Sequence, residues 1–347
     1  MVEARNLQVT LNVNGQPLYA VRGIDFDLFK GETLAIVGES GSGKSIATHA
    51  LLRLLPTKSQ IKADVLSVQG KNVLDLSKKD LQKLRGSVIS SISQDPLSAL
   101  NPTMRVGKQI LEALLERQHL HKNEAKQKIY KQLQAVGIPE PKQAYRKYPH
   151  EFSGGQRQRI LIAMALISNP DILIADEPTT ALDVTTQANI LKLLKEYKEK
   201  LGLSVIFITH NLAVAANMAD RVAVMYAGKI VEVGTTAEIF YDPKHPYTWG
   251  LLEAVPDDSN GKKKLFTLPG TPPDLRYPPK GDAFAVRDPY ALDIDFEEEP
   301  SFFKLSETHY AKTWLLDPRT PSYEPPQEIK ERWEKYSELT GKGNAYE

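Results

Sequence analysis

The chain contains no cysteine among its 347 residues, and this absence removes several kinds of chemistry. Disulfide bonds, thiolate metal sites, cysteine nucleophiles and cysteine-bound iron–sulfur clusters are all excluded. An excess of charge of one sign is also lacking, because 44 lysines and arginines face 43 aspartates and glutamates and leave a net charge of +1. This balance gives no electrostatic signature of a general nucleic-acid binder, and we expect no nucleic-acid partner.

Long hydrophobic runs are lacking as well. The most apolar internal stretch is Ile160–Ile167, whereas a membrane-spanning helix needs roughly 20 such residues. The segment Met1–Asn6 lacks the apolar core of a signal peptide. We therefore expect a chain that is soluble by itself and that contacts a membrane only through a partner.

Composition divides the chain near residue 245. Thirteen of the 23 prolines and all three tryptophans fall in residues 246–347. Proline at that density disfavours long helices and central strands, so we expect an irregular C-terminal extension there.

Residues 1–245 alternate between two hydrophobic periods. Apolar runs such as Ile172–Ala175 read as buried strands, and Thr186–Leu201 shows a helical period that Gly202 should end. This alternation predicts an α/β core with parallel strands and crossover helices. Residues 104–150 are helical and charged without a clear strand, which predicts an inserted helical subdomain at about 95–165.

The strongest motif is a glycine-rich loop that follows an apolar strand and opens a helix, which Pro56 should end. Its residues are Gly38, Glu39, Ser40, Gly41, Ser42, Gly43, Lys44 and Ser45. They fit the pattern G-x-x-x-x-G-K-[ST], in which backbone N–H groups surround phosphates. Lys44 would reach the β- and γ-phosphates and Ser45 would ligate Mg²⁺, so the pattern predicts a nucleoside triphosphate site.

Two acids follow the strand Ile172–Ala175. Because ligands of open α/β sheets bind at the carboxyl ends of the strands, Asp176 and Glu177 are placed for catalysis. Asp176 would hold Mg²⁺, and Glu177 would polarise the water that attacks the γ-phosphate.

A third motif, Ser153-Gly154-Gly155-Gln156, precedes the predicted helix Ile160–Ser168. Ser153 is a favourable N-cap, and the helix N-terminus attracts anions. Two glycines weaken a helix start, so an ordinary capped helix leaves them unexplained.

Together these motifs resemble those of the ATP-binding cassette ATPases, over residues 1 to about 245. The ordered set is Gly38–Ser45, Gln94, Ser153–Gln156, Asp176-Glu177, Ala181-Leu182-Asp183 and His210. The resemblance implies a P-loop ATPase core with a mixed sheet, an inserted helical signature subdomain and a proline-rich irregular extension. It also implies that each ATP site is completed by a second ATPase subunit.

The same resemblance implies roles for single residues. Gln94, after the predicted strand Val88–Ser93, would ligate Mg²⁺ and sense the attacking water. Ser153, Gly154, Gly155 and Gln156 would contact the γ-phosphate bound on the opposite subunit. Asp183 would lie at the dimer interface, and His210 would be a switch that contacts the γ-phosphate.

Some positions depart from the common pattern. Phe152 stands where leucine usually precedes the signature serine, and Asn211 follows His210 where aspartate is usual. The adenine-stacking position aligns with Val13, while Tyr19 is the nearest aromatic residue, so we assign neither.

Segments outside the ATP motifs resemble the D-type ATPase subunits of oligopeptide and dipeptide importers. These segments are Ser93–Met104, His245–Thr248, Leu268–Pro273 and Gly281–Ala291. The resemblance implies an ATPase that uses ATP and Mg²⁺ to power peptide import from the cytoplasmic face of the cell membrane, as a peripheral subunit. Its partners would be a paralogous second ATPase, two permeases and an external peptide-binding protein.

Many members of that family carry four cysteines in the extension that can hold an iron–sulfur cluster. The corresponding positions here are Asp282, Asp288, Asp295 and Thr313. Carboxylates could bind a hard cation, but loop acids are mostly solvated. We expect solvated acids and no cluster.

Three alternatives remain open at this point. The same fold could serve a nickel or other small-solute importer, since the permeases and the binding protein select the cargo. A soluble cassette ATPase that acts on ribosomes or DNA usually has two cassettes or a long coiled-coil insertion, and neither is evident. A regulatory, non-hydrolysing subunit is disfavoured by the presence of Glu177 and His210.

Overall fold

A computed structural model describes residues 1–115, 120–180, 182–254 and 268–341. The chain divides into two compact units. The first consists of Met1–Val2, Leu28–Thr33 and Val68–Ile208, and the second of Glu3–Asp27, Leu34–Ser67 and Thr209–Glu347. The predicted domain boundary near residue 245 stays a prediction.

The strands are β1 (Val2–Val13), β2 (Gln16–Leu28), β3 (Thr33–Val37), β4 (Gln60–Lys62), β5 (Val65–Val68), β6 (Lys71–Asn72), β7 (Ile89–Ile92), β8 (Ile172–Asp176), β9 (Ser204–Thr209), β10 (Arg221–Tyr226), β11 (Lys229–Thr235), β12 (Phe303–Lys304) and β13 (Tyr310–Ala311). The α-helices are α1 (Lys44–Leu51), α2 (Lys78–Ser87), α3 (Pro96–Ala99), α4 (Val106–Leu115), α5 (Lys122–Ala135), α6 (Pro141–Ala144), α7 (Gly154–Leu166), α8 (Val184–Leu201), α9 (Leu212–Met218), α10 (Thr236–Tyr241), α11 (Pro246–Glu253), α12 (Asp293–Glu297) and α13 (Gln327–Thr340). Short 3₁₀ turns cover Pro149–Glu151, Ala285–Arg287 and Trp314–Leu316.

In the first unit, strands β7, β8 and β9 pair in parallel in that order, with Ile89 opposite Ile172 and Ile172 opposite Ser204. All five residues of β8 are buried, which is why its sequence is a continuous apolar run rather than an alternating one. Helix α8 ends at Gly202, whose φ of 64° is left-handed, so both the strand and the helix predicted here are confirmed.

The region predicted as a helical subdomain contains helices and no strand in its described part. Helix α4 buries Ile110 and Leu114, and α5 buries Ile129 and Leu133. Helices α4 and α5 pack against each other and against α7. The charged residues of the sequence pattern therefore flank a small apolar interior.

The second unit contains two sheets. In one, β1 lies between β2 and β5, and β4 pairs antiparallel with β1. In the other, the order is β3-β10-β11-β13-β12. Strands β3 and β10 are parallel and the remaining neighbours are antiparallel, so the predicted mixed sheet is confirmed.

The C-terminal extension is irregular over most of its described length, yet it also contains the 14-residue helix α13. The proline density was expected to disfavour long helices here, and α13 is an exception to that expectation. Pro325 and Pro326 stand immediately before the helix, where a missing N–H is tolerated. Strand β13 also pairs with β11, so the extension adds a hairpin to the edge of the sheet.

Helix α1 ends earlier than Pro56. It ends at Leu51, and Arg53 turns the chain out of the helix with a φ of 47°. Among the helices in the part of the chain that the structure describes, none combines the length and apolarity of a bilayer-spanning segment.

Candidate active site

The glycine-rich loop joins β3 to α1 in the second unit. A Cβ at Gly38 would lie 2.0 Å from the carbonyl oxygen of Met225, and one at Gly43 would lie 2.4 Å from that of Ala20. Both contacts are with backbone, so no side chain fits at either position. The close approach of the β10 and β2 backbones therefore requires glycine at both positions.

Lys44 is 4% exposed and opens helix α1. Its ammonium donates to the carbonyl oxygens of Gly38 and Glu39 at 2.7 and 2.8 Å. Ser45 follows in the first turn and is half-buried. Lys44 thus links the end of the loop to its first two residues, and its positive charge lies at the N-terminus of α1.

Asp176, the last residue of β8, and Glu177, which follows it, lie in the first unit. Asp176 is buried at the end of the strand, whereas Glu177 is half-buried. The amide nitrogen of Gln94 donates to Oε2 of Glu177 at 3.1 Å. Gln94 and Glu177, predicted separately from the sequence, therefore lie together.

Glu177 has an unusual backbone conformation, with a φ of 44°. Its N–H donates to the carbonyl oxygen of Ile208 at 3.0 Å, which holds this left-handed geometry in place. The hydroxyl of Thr180 donates to the same Oε2 at 2.9 Å. Residues with strained backbone geometry cluster at functional sites. The contribution of Thr180 was not identified from the sequence.

Ser153 and Gln156 form a capping box at the start of α7. The Ser153 hydroxyl accepts the Gln156 N–H at 3.3 Å, and the Gln156 side chain accepts the Ser153 N–H at 3.0 Å. Both residues thus have a structural role besides the one implied for them.

The two glycines between Ser153 and Gln156 differ in their surroundings. A Cβ at Gly155 would lie 2.8 Å from Cγ2 of Thr186 in α8, whereas a Cβ at Gly154 would meet no atom within 4 Å. Packing therefore accounts for Gly155. Gly154 lies in open space and is exposed, so packing within the chain gives it no steric reason.

Asp183 is the N-cap of α8. Its carboxylate accepts the N–H and the hydroxyl of Thr186 at 2.9 and 2.7 Å. These hydrogen bonds, the backbone one first, lower the pKa of Asp183 and keep it ionised. Ala181, the first residue of this motif, lies outside the described residues.

His210 is exposed between β9 and α9 in the second unit. The Asn211 side chain accepts the N–H groups of Ala213 and Val214 at 2.9 and 3.3 Å. An asparagine is a good N-cap, so it replaces the usual aspartate without loss of the cap.

Neither candidate for adenine stacking is distinguished by the structure. Val13 is 42% exposed and Tyr19 is 39% exposed.

Phe152, the residue before the signature serine, is buried, which explains how an aromatic residue replaces the usual leucine there.

The expectation of solvated acids at the four cysteine-equivalent positions was wrong. Asp295 is 5% exposed and Thr313 is 3% exposed. Burial raises the pKa of Asp282 to about 6 and that of Asp288 to about 7, and it also raises the pKa of Asp295. Asp295 and Thr313 are therefore interior in the fold of the extension, and Asp282 and Asp288 are half-buried.

Within the described residues, no group of three or more His, Cys, Asp or Glu has the arrangement of a metal site. Nε2 of His245 lies 4.0 Å from Oδ2 of Asp282, and Nδ1 of His245 accepts the N–H of Tyr247 at 3.0 Å.

Two residues at the glycine-rich loop were missed by sequence reasoning. Arg287 and Tyr247 belong to the C-terminal extension, and both contact Glu39. The sequence offers a weak signal for them, since both lie in segments quoted for the importer resemblance.

Solved structures establish the class of fold. A dimeric ATP-binding cassette in a post-hydrolysis state, bound to ADP and phosphate, superposes with a TM-score of 0.60 at 28% identity, covering 68% of this chain and 99% of that one. The structure of cbiO1 from Clostridium perfringens, part of an ABC transporter complex, gives 0.55 at 30% identity, covering 69% of this chain and 92% of that one. The fold is that of an ATP-binding cassette.

Sequence comparison narrows the class. The ABC transporter family matches residues 21–180, and the family "Oligopeptide/dipeptide transporter, C-terminal region" matches residues 231–294. The oligopeptide transport ATP-binding protein OppD of Bacillus subtilis is 54% identical, covering 96% of this chain and 94% of its own. The dipeptide transport ATP-binding protein DppD of Lactococcus lactis is 52% identical, covering 98% of both chains. The chain belongs to this family of ABC transporter ATPases.

Proposed function

We propose that the chain binds and hydrolyses ATP to power the import of oligopeptides or dipeptides. The carrying observation is the pair of family matches together with relatives that are named for oligopeptide and dipeptide transport and are aligned over nearly the whole chain. The geometry agrees with this function, since Gln94 and Glu177 lie in contact.

We propose Glu177 as the residue that orients and polarises the attacking water. The Gln94 amide and the Thr180 hydroxyl both donate to one carboxylate oxygen, so the direction of this carboxylate is fixed before water arrives. A pre-oriented base is the arrangement that phosphoryl transfer to water requires.

The donors proposed for Mg²⁺ fit that ion. Ser45 offers a hydroxyl, Gln94 an amide oxygen and Asp176 a buried carboxylate, and hard oxygen ligands of this kind suit Mg²⁺. Mg²⁺ would neutralise charge on the triphosphate. The residues Gly38–Ser45 would supply N–H donors and the Lys44 ammonium to the phosphates, and His210 would contact the γ-phosphate.

The signature residues would act on a second subunit. Ser153, Gly154, Gly155 and Gln156 head a helix whose first residues are exposed or half-exposed, and a helix N-terminus attracts phosphate. We propose that they close the ATP site of a paralogous ATPase, with Asp183 at the interface. Two permeases and an external peptide-binding protein would complete the importer, with this chain bound peripherally at the cytoplasmic face of the membrane.

Replacing Glu177 by glutamine tests the proposal. Glu177→Gln keeps the shape and removes the charge, so we expect ATP binding to persist while ATP hydrolysis and peptide uptake by cells fall at least about 100-fold. Glu199→Gln, an exposed glutamate of α8, is the matched control and should leave both rates unchanged. Hydrolysis that survives in Glu177→Gln would overturn the role of this residue.

Affinity purification from detergent-solubilised membranes tests the assembly. We expect two permeases and a different ATPase to co-purify. Recovery of the chain alone, or with ribosomes, would contradict the importer while leaving the ATPase intact.

A further inference from the structure

Glu39, the second residue of the glycine-rich loop, is held at three points. Arg287 binds both of its carboxylate oxygens, with Nη1 to Oε2 at 2.7 Å and Nη2 to Oε1 at 2.9 Å. The N–H of Glu39 donates to the hydroxyl oxygen of Tyr247 at 2.8 Å. Its carbonyl oxygen accepts the Lys44 ammonium at 2.8 Å. Side chain, N–H and carbonyl of one loop residue are thus fixed together.

Arg287 is itself fixed by its surroundings. It is 7% exposed, and its Nε donates to the carbonyl oxygen of Pro269 at 2.7 Å. Its Nη1 also donates to the hydroxyl of Tyr226 at 3.2 Å. The guanidinium lies 5.6 Å from the ring centroid of Tyr226 and 5.8 Å from that of Phe284. The side chain therefore has one orientation, set by the extension and by β10.

Tyr247 is fixed equally well. It is fully buried at the start of α11, with its ring 4.7 Å from that of Tyr226 and 5.4 Å from that of Phe284 between centroids. Because Tyr247 is held in place, its hydroxyl oxygen is already positioned to accept the Glu39 N–H before nucleotide binds.

These contacts bear on nucleotide affinity, because a phosphate-binding loop works through the direction of its N–H groups. Ordering a loose loop on binding weakens affinity, whereas a loop held in its bound shape avoids this loss. A bidentate arginine–carboxylate pair fixes orientation as well as distance. Lys44, which would bind the β- and γ-phosphates, is hydrogen-bonded to the backbone of Glu39, the residue that Arg287 and Tyr247 hold.

We propose that Arg287 and Tyr247 are positioning residues through which the C-terminal extension sets the affinity of the loop Gly38–Ser45 for ATP. The inference rests on the proposed function, because it takes this loop as the ATP site. It adds a role for the extension inside the ATPase cycle.

Equilibrium binding of radiolabelled ATP with Mg²⁺ tests this, using the full chain in a Glu177→Gln background so that nucleotide is not consumed. The variants are Arg287→Met, Arg287→Lys and Tyr247→Phe. Arg319→Met is the control, because Arg319 also binds both carboxylate oxygens of an acid of the extension, Asp317, through its Nε and Nη2.

We expect Arg287→Met to weaken ATP binding about tenfold and Tyr247→Phe about threefold. Arg287→Lys should lie between the parent and Arg287→Met, because lysine keeps the charge but not the fork. Arg319→Met should bind as the parent does. Adding Glu39→Gln to Arg287→Met should cause little further loss, because both changes remove the same contact.

The unfolding midpoint separates positioning from stability. A positioning role predicts that the upward shift of the midpoint caused by ATP is smaller in the Arg287 variants than in the parent. If all variants bind ATP as the parent does, the positioning role of Arg287 and Tyr247 is refuted and the ATP site stands. If the parent binds ATP no better than Lys44→Ala does, the proposed function itself is refuted. Should Arg287→Met fail to fold, Arg287→Lys and Tyr247→Phe decide the question.

Discussion

At the scale of single residues, the two signature glycines show how one motif can combine two causes. Gly155 packs against Thr186, but a Cβ added at Gly154 would meet no atom within 4 Å. Fold stability therefore requires only one of them. For Gly154 we propose a requirement from outside the chain, namely the approach of nucleotide bound on a partner subunit.

Alanine substitutions separate these causes. Gly154→Ala should leave the protein as stable as before or stabilise it by about 0.5–1 kcal/mol, because alanine favours a helix, and it should still reduce the ATPase activity of the assembled transporter. Gly155→Ala should destabilise the fold by about 1–3 kcal/mol through overpacking. Thermal unfolding and ATPase rates of both variants check this. Normal ATPase activity in a stable Gly154→Ala protein would contradict a role in trans.

A buried carboxyl group in the extension gives a prediction about pH. The pKa of Asp288 is raised from 3.8 to about 7 by burial, so the folded state binds this proton more tightly than the unfolded state. Its stabilising effect is complete below pH 3.8 and is lost as the pH rises through 7. Asp288→Asn keeps an acceptor for the Tyr290 N–H. The variant should be more stable than the parent by about 1–3 kcal/mol at pH 8.

Asp317 provides a control of opposite sign. Hydrogen bonds from Arg319 hold its pKa at about 2, so its contribution is present at neutral pH and is lost on acidification. Asp317→Asn should therefore be less stable than the parent at pH 7, with the difference vanishing towards pH 2. Denaturant titrations across pH measure both variants. A pH-independent difference for Asp288→Asn would contradict the raised pKa.

At the scale of secondary-structure elements, several of the proposed site residues stand at the starts of helices. Lys44 opens α1, Ser153 caps α7, Asp183 caps α8 and Asn211 caps α9. Only Ser153 was identified from the sequence as a cap, whereas Lys44 was found through the glycine-rich loop and Asp183 through the family resemblance. Lys44, Ser153 and Asp183 are also proposed to meet nucleotide or a partner, so we expect a substitution at these three positions to affect both stability and function.

Two substitutions at Asp183 distinguish the cap from the interface. Asp183→Ala should destabilise the fold by about 1 kcal/mol, because the N–H of Thr186 loses its acceptor. Asp183→Asn keeps the cap and should unfold almost as the parent does. Unfolding free energies and ATPase rates of the assembled complex are the measurements. If Asp183→Asn also keeps full activity, the charge of Asp183 has no part in the interface.

At the scale of the whole molecule, the sequence predicted the cassette well because its signals are local. An apolar run such as Ile172–Ala175 and a loop such as Gly38–Ser45 each identify an element within a few residues. The contact of Arg287 with Glu39 joins residues 248 positions apart, and no local pattern indicates it. The burial of Asp295 was missed for the same reason, since a loop acid resembles a solvated one until the fold of the extension is known.

The extension also determines how the chain can be divided. Tyr247 and Phe284 belong to the same apolar cluster as Val222, Val224 and Tyr226 of β10, and β13 extends the sheet from β11. A boundary at residue 245 would therefore cut through a shared core. Composition changes there, but packing continues.

Truncation tests this continuity. A chain that ends after Pro326 loses α13, which buries only Ile329 and docks through Arg332 and Trp333 on the carbonyl oxygens of Phe240 and Pro243. It should fold with a lower melting temperature and keep its ATP affinity. A chain that ends after His245 loses Tyr247, Arg287 and the rest of the shared core, and it should aggregate or unfold non-cooperatively. Soluble yield, calorimetry and ATP binding compare the two. A stable chain of residues 1–245 that binds ATP as tightly as the full chain would contradict this prediction. It would show that the cassette needs neither the shared core nor the contacts that Arg287 and Tyr247 make with Glu39.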